Sequence, residues 1–164
     1  MVMDLEQAIG DLTPRLLRYC LARTGNTALA EDVAHDALVA LVQRWRRLGP
    51  PESPEAFVFT IARRRATRAV LRQRLLLPIE HITGRHDSPR DPEAAAISKD
   101  ERDAALAALA RLPPRDREAL LLTVAAELDT ATAAKALGIS QSAFKVRSFR
   151  ARRRLAALLG KAHA

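Results

Sequence analysis

Between Ser140 and Leu155 the chain reads SQSAFKVRSFRARRRL, with six cations (Lys145, Arg147, Arg150, Arg152, Arg153 and Arg154) and no carboxylate. Such side chains break no bonds; they donate hydrogen bonds and neutralise anions. Arg and Lys donate to guanine O6 and N7, Gln pairs with adenine, and methyl groups meet thymine. A face of one sign repels itself in isolation. Beside a phosphate backbone that cost becomes attraction, with counterions released. The bland alternative is a solvated basic face with no ligand.

A helix has to position these groups. Phe144, Ala151, Leu155 and Leu158 follow helical spacing and point inward, with Ser148 on the same stripe. Gln141, Ser142, Lys145, Arg147 and Arg150 lie off the stripe near the helix start. Upstream, Gly138 makes a turn, Ile139 points inward and Ser140 caps the helix. Before the turn comes a short helix, TATAAKAL, capped by Asp129 or Thr130. Before that, Pro113 and Pro114 end one helix and open another, whose positive end favours Asp116 and Glu118. Leu120, Val124 and Leu128 carry that helix inward. Helix, glycine turn, helix is the helix-turn-helix arrangement. The start of its second helix enters the major groove, and the later cations Arg152 to Arg154 and Lys161 suit phosphates.

A second basic face lies earlier. Residues 55–76 form a helix with Phe57, Ile61, Ala69 and Leu76 among its apolar positions. Its other face carries Arg63, Arg64, Arg65, Arg68, Arg72 and Arg74, with no acid after Glu55. Two helices precede it. Residues 4–24 place Leu5, Ile9, Leu12, Leu16 and Cys20 on one stripe, and Pro14 inside the run allows a break or kink there. Residues 28–47 place Ala30, Val33, Ala37, Leu41 and Trp45 on one face, and Trp45 is read as core. The stretch LGPPESP, Leu48 to Pro54, is a rigid loop.

Between the two basic blocks lies PIEHITGRHDSPRDPEAAAI, residues 78–97, with three prolines, one glycine and no helical or strand period. It reads as a flexible linker, ahead of the alternative of a long surface loop within one domain, because structureless loops of this length are uncommon inside compact domains. Residues 1–77 hold 12 basic and 8 acidic side chains (net +4), residues 78–97 hold 2 and 4 (−2), and residues 98–164 hold 13 and 7 (+6). The fold class expected is all-α: two small helical domains, 1–77 and 98–164, on a tether, the second a helix-turn-helix.

The whole chain has 164 residues and a net charge of +8, which points to a polyanionic partner, nucleic acid ahead of membrane. Aromatic residues make up 4%, while Ala and Leu dominate, which favours helices. No apolar run is long enough for membrane insertion. Cys20 is the one cysteine, so no internal disulfide forms, which suits the cytoplasm, and it is read as core. There is no Gly-rich phosphate loop, no metal-ligand spacing and no nucleophile–base pairing, so neither an enzyme nor a cofactor is expected.

The run LPPRDREALLL…LDTATAAKALGISQSAFKVRSFRARRRL resembles the fourth conserved region of bacterial sigma factors of the extracytoplasmic-function group. AEDVAHDALVAL, followed by FVFTIARRRATRAVLRQR, resembles their second region. The resemblance covers nearly the whole chain. It implies a transcription initiation factor that binds core RNA polymerase and directs it to promoters, reading the −35 element as duplex and helping to open the −10 element. By position, Lys145, Val146, Phe149 and Arg150 fall at the −35 major groove and flanking backbone, with Arg147 and Arg154 on phosphates. Asp32, His35, Asp36 and Arg44 fall on the polymerase-binding helix. The loop Leu48–Pro54 would hold a flipped −10 base, and Phe57, Arg63, Arg64 and Arg68 would line the single strand. The resemblance also implies an anti-sigma factor as a partner and a monomer when free. His35 stands where the family commonly has glutamine, Phe57 where tryptophan is frequent, Arg68 where aspartate is common and Ser148 where an aliphatic is usual. The support helix TATAAKAL lacks the usual acidic pair and bulky aliphatic. The competing function is a stand-alone helix-turn-helix regulator, dimeric and binding duplex operators without polymerase.

Overall fold

A computed structural model describes residues 4–76 and 98–162. The segment read as a linker, 78–97, lies outside the described residues. Among these residues there are seven helices and no strand: α1 Leu5–Thr24, α2 Thr27–Leu48, α3 Pro54–Leu76, α4 Lys99–Arg111, α5 Pro114–Val124, α6 Thr130–Leu137 and α7 Gln141–Ala162.

Local chemistry sets the boundaries. Gly25 closes α1 in the left-handed conformation, its N–H donating to Leu21 O. The Asn26 side chain then accepts from Leu29 N to start α2. Ser53 Oγ accepts from Ala56 N and Pro54 opens α3, where its missing N–H costs nothing. Ser98 and Glu101 form a capping box on α4. Asp129, not Thr130, caps α6, and Ser140 caps α7 as its sequence position suggests. Pro14 does not break α1, which runs through it unbroken. Pro14 and Gly10, whose carbonyl loses its donor, are both exposed, so that carbonyl is not left in an apolar core.

α1, α2 and α3 form a bundle around Leu16, Tyr19, Cys20, Leu41, Val58 and Phe59, all fully buried. The Tyr19 and Phe59 rings meet edge to face at 5.5 Å. Trp45 packs against this core, as its place on the stripe requires. In the second half, Leu112, Leu120 and Ala151 form a small cluster that ties α4, α5 and α7 together. Phe144 seats α7 on α6, and Ser148 is buried on the same stripe. Two apolar positions fail the inward expectation. Val124 is 70% exposed because it ends α5 with no helix over it, and Leu76 is 74% exposed at the end of α3.

The two halves are packed on each other. The core around Phe59 runs on without interruption into Ala119, Leu121, Leu122 and Ala133. Polar contacts reinforce the seam. Arg15 donates through Nε to Ala126 O at 2.8 Å and pairs with Glu55 at 2.5 Å. Arg18 pairs with Glu127 at 2.9 Å and donates to Ala125 O. Two arginines of α1 thus cap the open carbonyls at the end of α5, where cations are favoured. Glu127 itself sits at φ 53, a left-handed backbone unusual for a residue with a Cβ. Tyr19 donates to Glu118, and Arg23 approaches the other oxygen of that carboxylate at 2.9 Å. Lys135 of α6 reaches Glu52, in the loop before α3, at 2.8 Å.

Candidate nucleic-acid interface

α7 separates its two chemistries by period. Phe144, Ser148 and Ala151 are buried, while Gln141, Ser142, Lys145, Val146, Phe149, Arg150 and Arg152 to Arg154 are exposed. Val146 and Phe149 are 50% and 62% exposed, apolar surface that water does not favour and thymine methyls do. Arg153 stacks over the Phe149 ring at 5.8 Å, a cation–π contact on the exposed side of the helix. The turn is built for this presentation. Gly138 takes φ 67, and its neighbour Ile139 packs against the core, so α7 leaves α6 at a fixed angle.

Ser142, Val146, Arg147, Arg150 and Arg154 line one concavity of about 500 Å³ between α7 and the start of α5. Sequence reasoning missed two residues there. Arg115, exposed on the first turn of α5, adds a cation to the rim. Asp116, expected only to suit the helix dipole, is 7% exposed and accepts from Arg154. The ion pair fixes Arg154 beside the exposed face of α7, so this arginine is partly a structural tie. The signal was present in the sequence, since Arg115 and Asp116 follow the proline pair directly, but nothing there ties them to α7.

The residues expected on the −10 strand are placed differently from one another. Arg64 and Arg68 are exposed on α3, Phe57 is half-buried against the core, and Arg63 is half-buried. The Nε of Arg63 is buried and has no hydrogen-bond partner among the described residues. On α2, Asp32, His35 and Asp36 share an exposed face. Asp36 pairs with Arg65 at 2.7 Å, and Arg44 donates to Gly49 O at 2.6 Å, closing the helix at the proline loop. Those two are therefore engaged within the chain. Among the described residues no group of three His, Cys, Asp or Glu could hold a metal, and no helix is long and apolar enough to cross a membrane.

Burial perturbs two buried protons. Desolvation first, and then the Glu118 charge, holds the Tyr19 phenol well above its ordinary range. Burial pushes the Cys20 thiol up to about 12. Neither group is poised for chemistry near neutral pH.

The family model "Sigma-70 region 2" matches residues 9–75, and "Sigma-70, region 4" matches residues 102–155. The ECF RNA polymerase sigma factor ShbA of Streptomyces griseus is 34% identical over 158 residues, spanning 88% of this chain and 82% of that protein. The ECF RNA polymerase sigma factor SigD of Mycobacterium tuberculosis is 32% identical over 161 residues, spanning 92% and 74%. Among solved structures, the sigma factor RpoE bound to the anti-sigma factor NepR from Bartonella quintana superposes with TM-score 0.70 at 26% identity, over 97% of this chain and 98% of that one. CnrH in complex with the cytosolic domain of CnrY gives 0.68 at 22% identity over 96% and 88%, a likeness of fold.

Proposed function

Because the chain belongs to the extracytoplasmic-function group of the sigma-70 family, and so is a transcription initiation factor that binds core RNA polymerase and directs it to promoters, we propose how its residues divide that work. Residues 1–77 act as region 2, residues 98–164 as region 4, and residues 78–97 as the linker between them. Gln141, Ser142, Lys145, Val146, Phe149 and Arg150 face the −35 major groove, and Arg147 and Arg154 hold flanking phosphates. Phe57, Arg63, Arg64 and Arg68 line the −10 strand. Asp32, His35, Asp36 and Arg44 form the polymerase face. The observation that carries this reading is the one-signed outer face of α7, with exposed Val146 and Phe149 set among its cations.

The two elements stand about 25 base pairs apart, or about 85 Å at about 3.4 Å per pair. Arg63 and Arg147, one assigned to each element, line a single groove in the packed arrangement. The halves must therefore part before both elements are read. Polymerase supplies surfaces that compensate for the lost seam. An anti-sigma factor is the partner proposed to hold the chain inactive, supported by the likeness to the sigma factor RpoE, which was solved bound to the anti-sigma factor NepR. The free chain is proposed to be a cytoplasmic monomer.

The test is transcription in vitro with purified core polymerase and a library of genomic fragments, with start sites mapped. Discrete starts that require the chain support the proposal. Tight operator binding by a dimer without polymerase, and no new start site, would remove it.

A further inference from the structure

The seam between the halves opens on one side into a groove of about 640 Å³. Arg23 of α1 and Arg63 and Arg74 of α3 line it from one half; Arg115 and Arg117 of α5 and Arg147 of α7 line it from the other. Among the described residues the one carboxylate on its wall, Glu118, already serves Tyr19 and Arg23. Val70, Leu71, Leu137 and Ile139 supply apolar wall between the cations.

Much of the positive charge here has no countercharge among the described residues. The Nε of Arg63 is buried and has no hydrogen-bond partner among them. Arg117 spends its donors on Leu109 O, Ala110 O and Leu112 O, and among the described residues makes no hydrogen bond to a carboxylate. Desolvation first, and then the charges of Arg23 and Arg74, hold the Arg117 guanidinium below its ordinary range. Cations drawn from two halves of a chain and crowded to that extent favour an anion between them.

We infer that this groove binds an oligophosphate, an anion of two or more linked phosphoryl groups, through Arg63 and Arg74 on one half and Arg115 and Arg147 on the other. Guanidinium forks match phosphoryl oxygens two at a time. A chain of phosphoryl groups offers anionic oxygens to cations on both halves at once, more than a single phosphate carries. The shared chemistry is the phosphate chain; its source is either an inorganic oligophosphate or a nucleoside polyphosphate whose base lies on the apolar wall. Occupancy holds the halves together and competes with DNA for Arg63 and Arg147.

Calorimetry on the free full-length chain tests this without any need for transcription, so its outcome is separate from that of the proposed function. The probes are sodium tripolyphosphate, ATP, inorganic phosphate and sulfate at one fixed ionic strength. The expected result is one tripolyphosphate per chain, with phosphate and sulfate at least about 100-fold weaker, the scale of two lost charge-assisted contacts. ATP binding more tightly than tripolyphosphate identifies a nucleotide; equal affinity identifies the phosphate chain alone. Arg74→Gln and Arg115→Gln, exposed and on opposite halves, each weaken binding about tenfold, while Arg46→Gln, exposed on α2, leaves it unchanged. Circular dichroism melts confirm that all three variants fold. Equal losses in all three variants, sulfate binding as well as tripolyphosphate, or a hexaglutamate peptide binding as tightly as tripolyphosphate would each overturn the assignment.

Discussion

The Tyr19 hydroxyl of α1 donates to the Glu118 carboxylate of α5, a hydrogen bond between residues 99 positions apart in the chain. Both groups are buried, and Arg23 at 2.9 Å supplies the countercharge. A buried carboxylate keeps its charge only when paired and hydrogen-bonded, so this trio is a specific lock between the halves. It also sets a condition on function, because opening the chain exposes all three groups to water.

Tyr19→Phe removes the bond and keeps the ring packed on Phe59. The expected loss is about 1–2 kcal/mol in urea unfolding, since Glu118 retains Arg23. The protein has a single tyrosine, so absorbance near the phenolate band reports its ionisation directly. Its folded pKa is raised, so the proton is held more tightly in the folded state. The associated stability is full below the ordinary value of 10.0 and is lost as pH rises beyond it. A phenol that titrates at its ordinary value in the folded chain contradicts the buried lock.

Cys20 behaves as a small apolar side chain. Its thiol, with a folded pKa of about 12 against an ordinary 9.0, stays protonated at neutral pH. Iodoacetamide at pH 7.5 is expected to leave the folded chain unmodified and to alkylate it fully in urea. The stability linked to this group is present below pH 9 and falls away between about 9 and 12. Rapid labelling without denaturant would show that the α1 core opens locally.

Arg150→Ala and Arg154→Ala separate base reading from backbone contact. Loss of Arg150 is expected to cost about 1–3 kcal/mol at one base position of the −35 element. Loss of Arg154 weakens all sites alike and lowers the salt slope by about one. It also strips Asp116 of its partner, so this variant alone melts earlier, by about 1 kcal/mol, because the pair is half-exposed on the arginine side. Binding isotherms at several salt concentrations, read beside thermal melts, distinguish the two effects.

Glu127→Gly removes backbone strain at φ 53 at the expense of an exposed ion pair with Arg18. The strain relieved is about 1 kcal/mol and the exposed pair is worth less, so the variant is expected to unfold at higher denaturant. A less stable variant would mean that Arg18 matters more to the seam than its exposure suggests.

Asp129→Ala tests the cap of the helix-turn-helix. Its carboxylate accepts from Thr132 N at 2.7 Å, and that backbone hydrogen bond, first among the causes, lowers its pKa. The expected cost is about 1 kcal/mol. Because the folded pKa is depressed, the contribution is present above the ordinary value of 3.8 and is lost as pH falls through the lower folded value. The variant and the parent therefore converge in stability at strongly acidic pH.

The sequence by itself determined the helices, their caps and the charged outer face of α7. These depend on neighbours within a few residues: Ser140 on Ala143, Asp129 on Thr132, Phe144 and Ala151 on a period of 3.6. It also identified the two basic blocks, because charge along a chain is a simple count. Only the tertiary structure decided which faces meet. Nothing local pairs Tyr19 with Glu118, Arg15 with the end of α5, or Asp116 with Arg154, since each bond is made between side chains that only packing brings into reach. For the same reason Val124 and Leu76 ended outside while fitting an inward pattern: a helical period says which residues share a face, and the number of neighbouring helices says whether that face is covered.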